Sequence, residues 1–92
     1  MRCLVIYDIP DDRARTRVAD ACLDYGLQRV QWSAFVGELN STYQRELLLK
    51  IRTVLGKKAA SVRLLPINET LWQQQQIIEQ GDLYGGRSAA AS

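Results

Sequence analysis

Few residues in this chain could carry chemistry, and the sharpest of them is Asp8. It closes the apolar run 3–8 (CLVIYD), where burying a carboxylate without a partner is costly. Strand ends and the loops after them are common places for sites. An acid there can equally cap the turn through Ile9-Pro10-Asp11, and the residues alone leave both roles open. One aspartate offers too few ligands for a hydrolytic metal site. Two copies facing each other across a two-fold axis would repel, and would be relieved by a shared cation. Magnesium takes few carboxylates and keeps several waters, so it suits such a pair. Asp11 and Asp12 read as ordinary capping acids.

Two further groupings point to phosphate. Arg13, Arg15 and Arg17 fall in the first turn and a half of an expected helix. Cations there oppose the helix dipole, which favours acids at that end. A basic cluster in an unfavourable place fits phosphate contact, or else a solvated face with local ion pairs. Arg13 and Arg17 share a face at i, i+4, while Arg15 points elsewhere. On the strand that follows, Arg29, Gln31 and Ser33 alternate onto one face with Phe35, which reads as exposed. Basic and aromatic side chains on one face suit backbone contact and base stacking. A half-solvated strand face would give the same pattern.

These residues need a frame. Residues 3–8 read as a central strand, and Pro10 stops it. Asp11 or Asp12 caps a helix whose stripe is Val18, Ala21, Cys22 and Tyr25, ending at Gly26. Residues 27–39 switch to period two, with Val30, Trp32, Ala34 and Val36 on one face. Asn40, Ser41 or Thr42 caps a second helix with the stripe Tyr43, Leu47, Ile51 and Leu55. Residues 61–67 form the next strand. Leu71-Trp72, a glutamine run and Ile77-Ile78 suggest a short turn and a last strand or ribbon. A domain over 1–80 and a loose end over 81–92 follow.

If residues 27–39 bend near Gly37 or form a hairpin, the order becomes βαββαβ. That is an α+β fold of ferredoxin-like type with a short C-terminal strand. Both helices then lie on one face of the sheet. Yet the first strand is apolar on both faces, with Cys3, Val5 and Tyr7 on one and Leu4 and Ile6 on the other. A homodimer packed sheet to sheet is the simplest cover for the second face.

Composition narrows the classes. The chain has 92 residues, enough for one domain. No histidine is present, which removes the commonest catalytic base and zinc ligand. Twelve basic and ten acidic residues leave a net charge of +2, too weak a bias to imply or exclude nucleic acid. No apolar run approaches the roughly 20 residues of a membrane helix, and nothing at the start reads as a signal peptide. Cys3 and Cys22 sit in apolar patterns and read as buried thiols, so a cytoplasmic protein with no membrane partner is expected.

The ordered combination resembles one family, the CRISPR-associated endoribonucleases (Cas two) that partner the spacer integrase. The resemblance rests on Tyr7-Asp8-Ile9, on Asp11-Asp12 followed by Arg13, Arg15 and Arg17, and on Arg29-Val30-Gln31-Trp32-Ser33-Ala34-Phe35. It extends to Gly37-Glu38-Leu39 and Val62-Arg63-Leu64-Leu65-Pro66-Ile67. It implies a two-fold dimer with a Mg2+ site made by Asp8 from both chains. The positions implicated in RNA cleavage fall on Tyr7, Asp8, Arg15, Arg17, Arg29 and Phe35. It implies cutting of single-stranded RNA or duplex DNA, and spacer acquisition with the CRISPR integrase subunit. The alternative is a non-catalytic DNA-binding scaffold that bridges integrase dimers.

Overall fold

Strand β1 (Arg2–Asp8) decides the architecture, because both of its faces are apolar. In the computed structural model, which describes residues 1–82, Cys3, Val5 and Tyr7 are buried while Leu4 and Ile6 are half-buried. Helices α1 (Asp12–Asp24) and α2 (Ser41–Leu55) supply the cover. Val18, Ala21, Cys22, Leu47 and Ile51 close one core over Cys3, Val5, Tyr7 and Phe35. Strands β2 (Gln28–Gln31), β3 (Ala34–Glu38) and β4 (Ser61–Pro66) complete the sheet in the order β2-β3-β1-β4, antiparallel throughout. This is the ferredoxin-like arrangement expected. Leu4, Ile6, Ala34, Val36 and Leu65 belong to the other face, by the register Leu4↔Val36, Leu4↔Leu65 and Ile6↔Ala34.

Local signals set the helix ends. The Asp11 carboxylate accepts the Ala14 N–H at 2.8 Å, and Asn40 Oδ1 accepts the Tyr43 N–H at 2.8 Å. Each satisfies an amide that the first helical turn cannot. Gly26, at φ 83°, turns the chain out of α1 in a conformation that side-chain-bearing residues resist.

The period-two run resolves into a hairpin, and its turn sits at Trp32 and Ser33 rather than near Gly37. Neither turn residue has a positive φ, so the turn is not one of the primed types whose twist matches paired strands. A bulge at Val30 accompanies it. Arg29 pairs with Phe35, and the next pair is Gln31 with Ala34. This one extra residue overturns the expected polar and aromatic face. Gln31 moves to the open face beside Ala34, and Ser33 lies in the turn. Arg29 stays with Phe35 on the helix-covered face, where Phe35 is 0% exposed. Gly37 has a packing role instead of a bend. A Cβ there would stand 2.6 Å from Leu27 Cδ2 and 3.2 Å from Leu27 Cα, so its absence admits buried Leu27 to the core.

The tail also departs from expectation. In place of a turn and a last strand, the chain makes the short helix α3 (Glu69–Gln73), and residues 74–82 form no strand. Asn68 Oδ1 caps α3 by accepting the Thr70 and Leu71 N–H groups at 2.7 and 3.3 Å. Arg2 then clamps it, donating to Glu69 at 2.6 and 3.0 Å while its guanidinium lies 5.3 Å from the Trp72 ring centroid. The clamp steers the chain toward the open face, where Ile77 and Ile78 line a cavity of about 640 Å³ with Leu4 and Ile6. A strand needs a ladder partner, and none is met on that path. The loose end expected over 81–92 lies, from residue 83 on, outside the described residues.

Burial gives Phe35 a measurable role. Phe35→Ala is expected to lower stability by about 3–5 kcal/mol in urea unfolding, and Phe35→Leu by far less. A surface stacking residue would show almost no loss in either.

Candidate functional site

The pleat of β1 divides the candidate residues between two places. Asp8 falls on the open face, at the end of the strand, where it pairs with Ser61 across the ladder. Its carboxylate is exposed and, among the described residues, makes no hydrogen bond or ion pair. The capping role that competed for it belongs to Asp11. Among the described residues no group of three or more cysteines, aspartates or glutamates could hold a metal ion. A cation at Asp8 would therefore need ligands from outside the chain, and a two-fold copy of Asp8 with waters fits the few-carboxylate preference of magnesium.

Tyr7 points the other way, into the core side, and gathers Arg29, Phe35 and Arg15. Its ring stacks on Phe35 with centroids 6.2 Å apart and planes 21° from parallel. The Arg29 guanidinium lies 4.9 Å from the Phe35 centroid and 5.0 Å from that of Trp32, a cation held between two π faces. The Tyr7 hydroxyl and Arg29 Nε are both buried with no partner at close hydrogen-bond distance. Burial pushes the Tyr7 phenol up from its ordinary value, and the neighbouring Arg29 pulls it back in part, first as a hydrogen-bond donor to the phenol oxygen and then by its charge. A cleft of about 340 Å³ opens over this cluster, between α1 and the β2–β3 turn. Phe35, wholly buried, shapes the cleft from beneath and has no surface on which to stack a base.

The three arginines of α1 part company. Arg15 Nη1 donates to the Ile9 carbonyl at 2.8 Å, and its Nη2 pairs with Asp12. It holds the β1–α1 loop closed. Arg13 and Arg17 are exposed and, among the described residues, make no hydrogen bond or ion pair, so they remain available to an incoming phosphate. Asp20, Thr16 and Trp32 line the cleft beside Tyr7 although nothing in their types singled them out. The signal available was the helical spacing of Thr16 and Asp20 on one side of α1, together with a turn at Trp32 that the strand pattern concealed.

A family model described as CRISPR associated protein Cas2 matches residues 1–75. The chain belongs to that family. The CRISPR-associated endoribonuclease Cas2 2 of Chloroflexus aurantiacus is 55% identical to it over 80 residues, covering 87% of this chain and 94% of that protein. The crystal structure of Streptococcus pyogenes Cas2 superposes with a TM-score of 0.74 over 86% of this chain and 100% of the other, at 24% identity, which speaks to the fold. A Cas1/Cas2 endonuclease fusion of Thermoproteus tenax is 42% identical over 60 residues, 64% of this chain and 23% of the fusion. In this Cas2 sequence the tyrosine and aspartate of Tyr7-Asp8-Ile9 are thus neighbours that serve opposite sides of one sheet.

The arginines can be told apart by stability. Arg15→Ala is expected to cost about 1–2 kcal/mol in thermal or urea unfolding, since charge-assisted bonds to loop carbonyls are lost. Arg17→Ala should stay within about 0.5 kcal/mol of the parent.

Proposed function

We propose that the chain is a magnesium-dependent endoribonuclease of the Cas2 family that acts as a symmetric dimer, cutting single-stranded RNA or duplex DNA. The observation that carries this reading is the position of Asp8. Its carboxylate is exposed, without a partner among the described residues, on the same sheet face as Leu4, Ile6 and Leu65. A second copy docked on that apolar face would bury it and bring a second Asp8 near the first. The relative in Chloroflexus aurantiacus carries the name endoribonuclease, in keeping with this activity.

The residues divide the work as follows. The two Asp8 carboxylates, one from each copy, would hold the ion. Bound there, magnesium supplies the Lewis acidity that a chain without histidine must find outside its side chains. Arg13 and Arg17, exposed on one face of α1, hold the flanking phosphates and offset charge developing at the cut. Tyr7, Arg29 and Phe35 shape the cleft on the far side of the sheet, and Arg15 keeps the β1–α1 loop in register with Asp8.

A second reading is a non-catalytic scaffold that sets the spacing of two integrase dimers on duplex DNA. The free arginines on α1 favour it, because they serve duplex phosphates without any chemistry at Asp8. The natural fusion of Cas1 and Cas2 in Thermoproteus tenax supports an integrase partner for either reading. The buried, unpaired thiols of Cys3 and Cys22 accord with a cytoplasmic setting. Among the described residues no helix is long and apolar enough to cross a membrane.

Cleavage of labelled RNA and duplex DNA, with magnesium or with a chelator, tests the catalytic reading. Asp8→Asn is expected to abolish cutting and to leave the dimer as stable as the parent or slightly more so, because it removes the carboxylate repulsion with the ligands. Cutting at the parent rate would move the activity away from Asp8 and favour the scaffold. For the phosphate contacts, Arg13→Ala with Arg17→Ala should flatten the salt dependence of binding by roughly 0.7–0.9 in log–log slope per lost contact. An unchanged slope would return both arginines to a plain solvated face.

A further inference from the structure

The ladder between β1 and β4 carries a gradient across the open face. Its successive pairs there are Leu4↔Leu65, Ile6↔Arg63 and Asp8↔Ser61. The face thus runs from an apolar row, through a mixed one, to a polar row where β1 stops and β4 starts. Val62 and Leu64 pack against the helix-covered core, so the pleat sends Arg63, between them, to the side of Asp8. Arg63 is exposed, and among the described residues it makes no hydrogen bond or ion pair. It stands diagonal to Asp8, one row inward. Diagonal neighbours of this kind lie roughly 7–8 Å apart, within reach of a long side chain.

Other cations of the sheet are engaged. Arg2, at the opposite end of β1, is held by Glu69 and Trp72. Arg29 lies between the rings of Phe35 and Trp32. Arg13 and Arg17 belong to α1, which covers the other face. Arg63 alone among the described strand residues sets an unengaged cation in the row next to Asp8. When two copies meet on the apolar row, the polar row falls at the rim, where water and ligands enter. Arg63 lies between the two, and a cation there is costly without a counter-charge. Charge identifies the anion that supplies it. A divalent cation held by two Asp8 carboxylates balances them, and two Arg63 charges remain, one per copy. Each suits one singly charged phosphodiester, whose oxygens match the fork of a guanidinium.

We infer that Arg63 grips the backbone phosphate of single-stranded RNA that lies against Asp8. The inference rests on the reading of the chain as a dimeric nuclease, and it adds the residue that binds substrate at the Asp8 end of the sheet. Bare Asp8 carboxylates repel the same phosphate, so the grip strengthens once their charge is removed.

The test is binding of a labelled oligouridylate to the full chain in chelator, read by fluorescence anisotropy. Asp8→Asn, which removes the repelling carboxylates, is expected to bind more tightly than the parent. Adding Arg63→Gln to Asp8→Asn should weaken binding roughly tenfold. It should also flatten the log–log salt slope by about 0.7 per lost contact. Arg63→Lys in the same background should keep the slope, because the charge remains, and recover only part of the affinity, because the fork is lost. Sedimentation at the same concentrations should show the dimer in every variant. With magnesium, Arg63→Gln alone should raise KM for RNA roughly tenfold and leave kcat within about twofold, the pattern of lost substrate binding. Affinity and slope indifferent to Arg63→Gln would overturn the proposal. So would a loss of binding that tracks dissociation of the dimer, since Arg63 would then serve the contact between copies. Loss of RNA binding in a dimer whose parent cuts no RNA would sink the nuclease reading and keep the phosphate contact. RNA cutting by the parent, with binding and KM indifferent to Arg63, would sink the phosphate contact alone.

Discussion

Tyr7 and Asp8 are consecutive on a central strand, and the pleat sends their side chains to opposite sides of the sheet. Much of the site's organisation follows from that alternation. The odd-numbered residues of β1 face two helices and build the core. The even-numbered ones face outward and end in a carboxylate that no side chain among the described residues engages. A one-residue slip of β1 would bury Asp8 under the helices and expose the core residues. The cost of burying that carboxylate therefore helps to keep the strand in register, in addition to any chemistry it performs.

The open face is the counterpart of this arrangement. Two helices of 13 and 15 residues cover one side of a four-stranded sheet and leave Leu4, Ile6 and Leu65 without a layer of their own. Leu65 is 41% exposed, and Ile77 and Ile78 line the same face beside Leu4 and Ile6. In a chain of this size the buried core is modest, so covering the second face changes stability as well as assembly. The Arg2–Glu69–Trp72 clamp bears on the same face. It fixes where the chain crosses after β4, and so which part of the face stays open to a partner.

The elements with strong local signals were legible in the sequence. The strand ending at Asp8, the caps at Asp11 and Asn40, and the helix stop at Gly26 all follow from local chemistry. The faces of the hairpin were not, because a bulge has no marker in a period-two pattern. Once Val30 is counted as an extra residue, Gln31 changes sides and Phe35 proves buried. The tail was misread for a different reason. Ile77-Ile78 is rich in strand formers, but a strand exists only where a neighbour offers hydrogen bonds. At the site, the types of Tyr7, Asp8 and Arg29 were informative, whereas their separation onto two faces required the register. Asp20 carried no signal of its own, since an acid on an amphipathic helix is unremarkable until the wall opposite is known.

The sheet order has a consequence for how the molecule comes into being. β1, the first of the four strands in chain order, takes its two neighbours from β3 and β4, the third and fourth. Until β3 is available both edges of β1 are unpaired, and until β4 is available one remains so. The α1 and α2 helices can form early, from local contacts, but the sheet beneath them closes only through pairings distant in sequence, the kind that slows folding. A nascent chain thus carries an apolar strand with at least one open edge until β4 is made, a template for mispairing with other chains. The charged residues that flank it, Arg2 on one side and Asp8, Asp11 and Asp12 on the other, are placed where they would discourage such stacking before the native neighbours arrive.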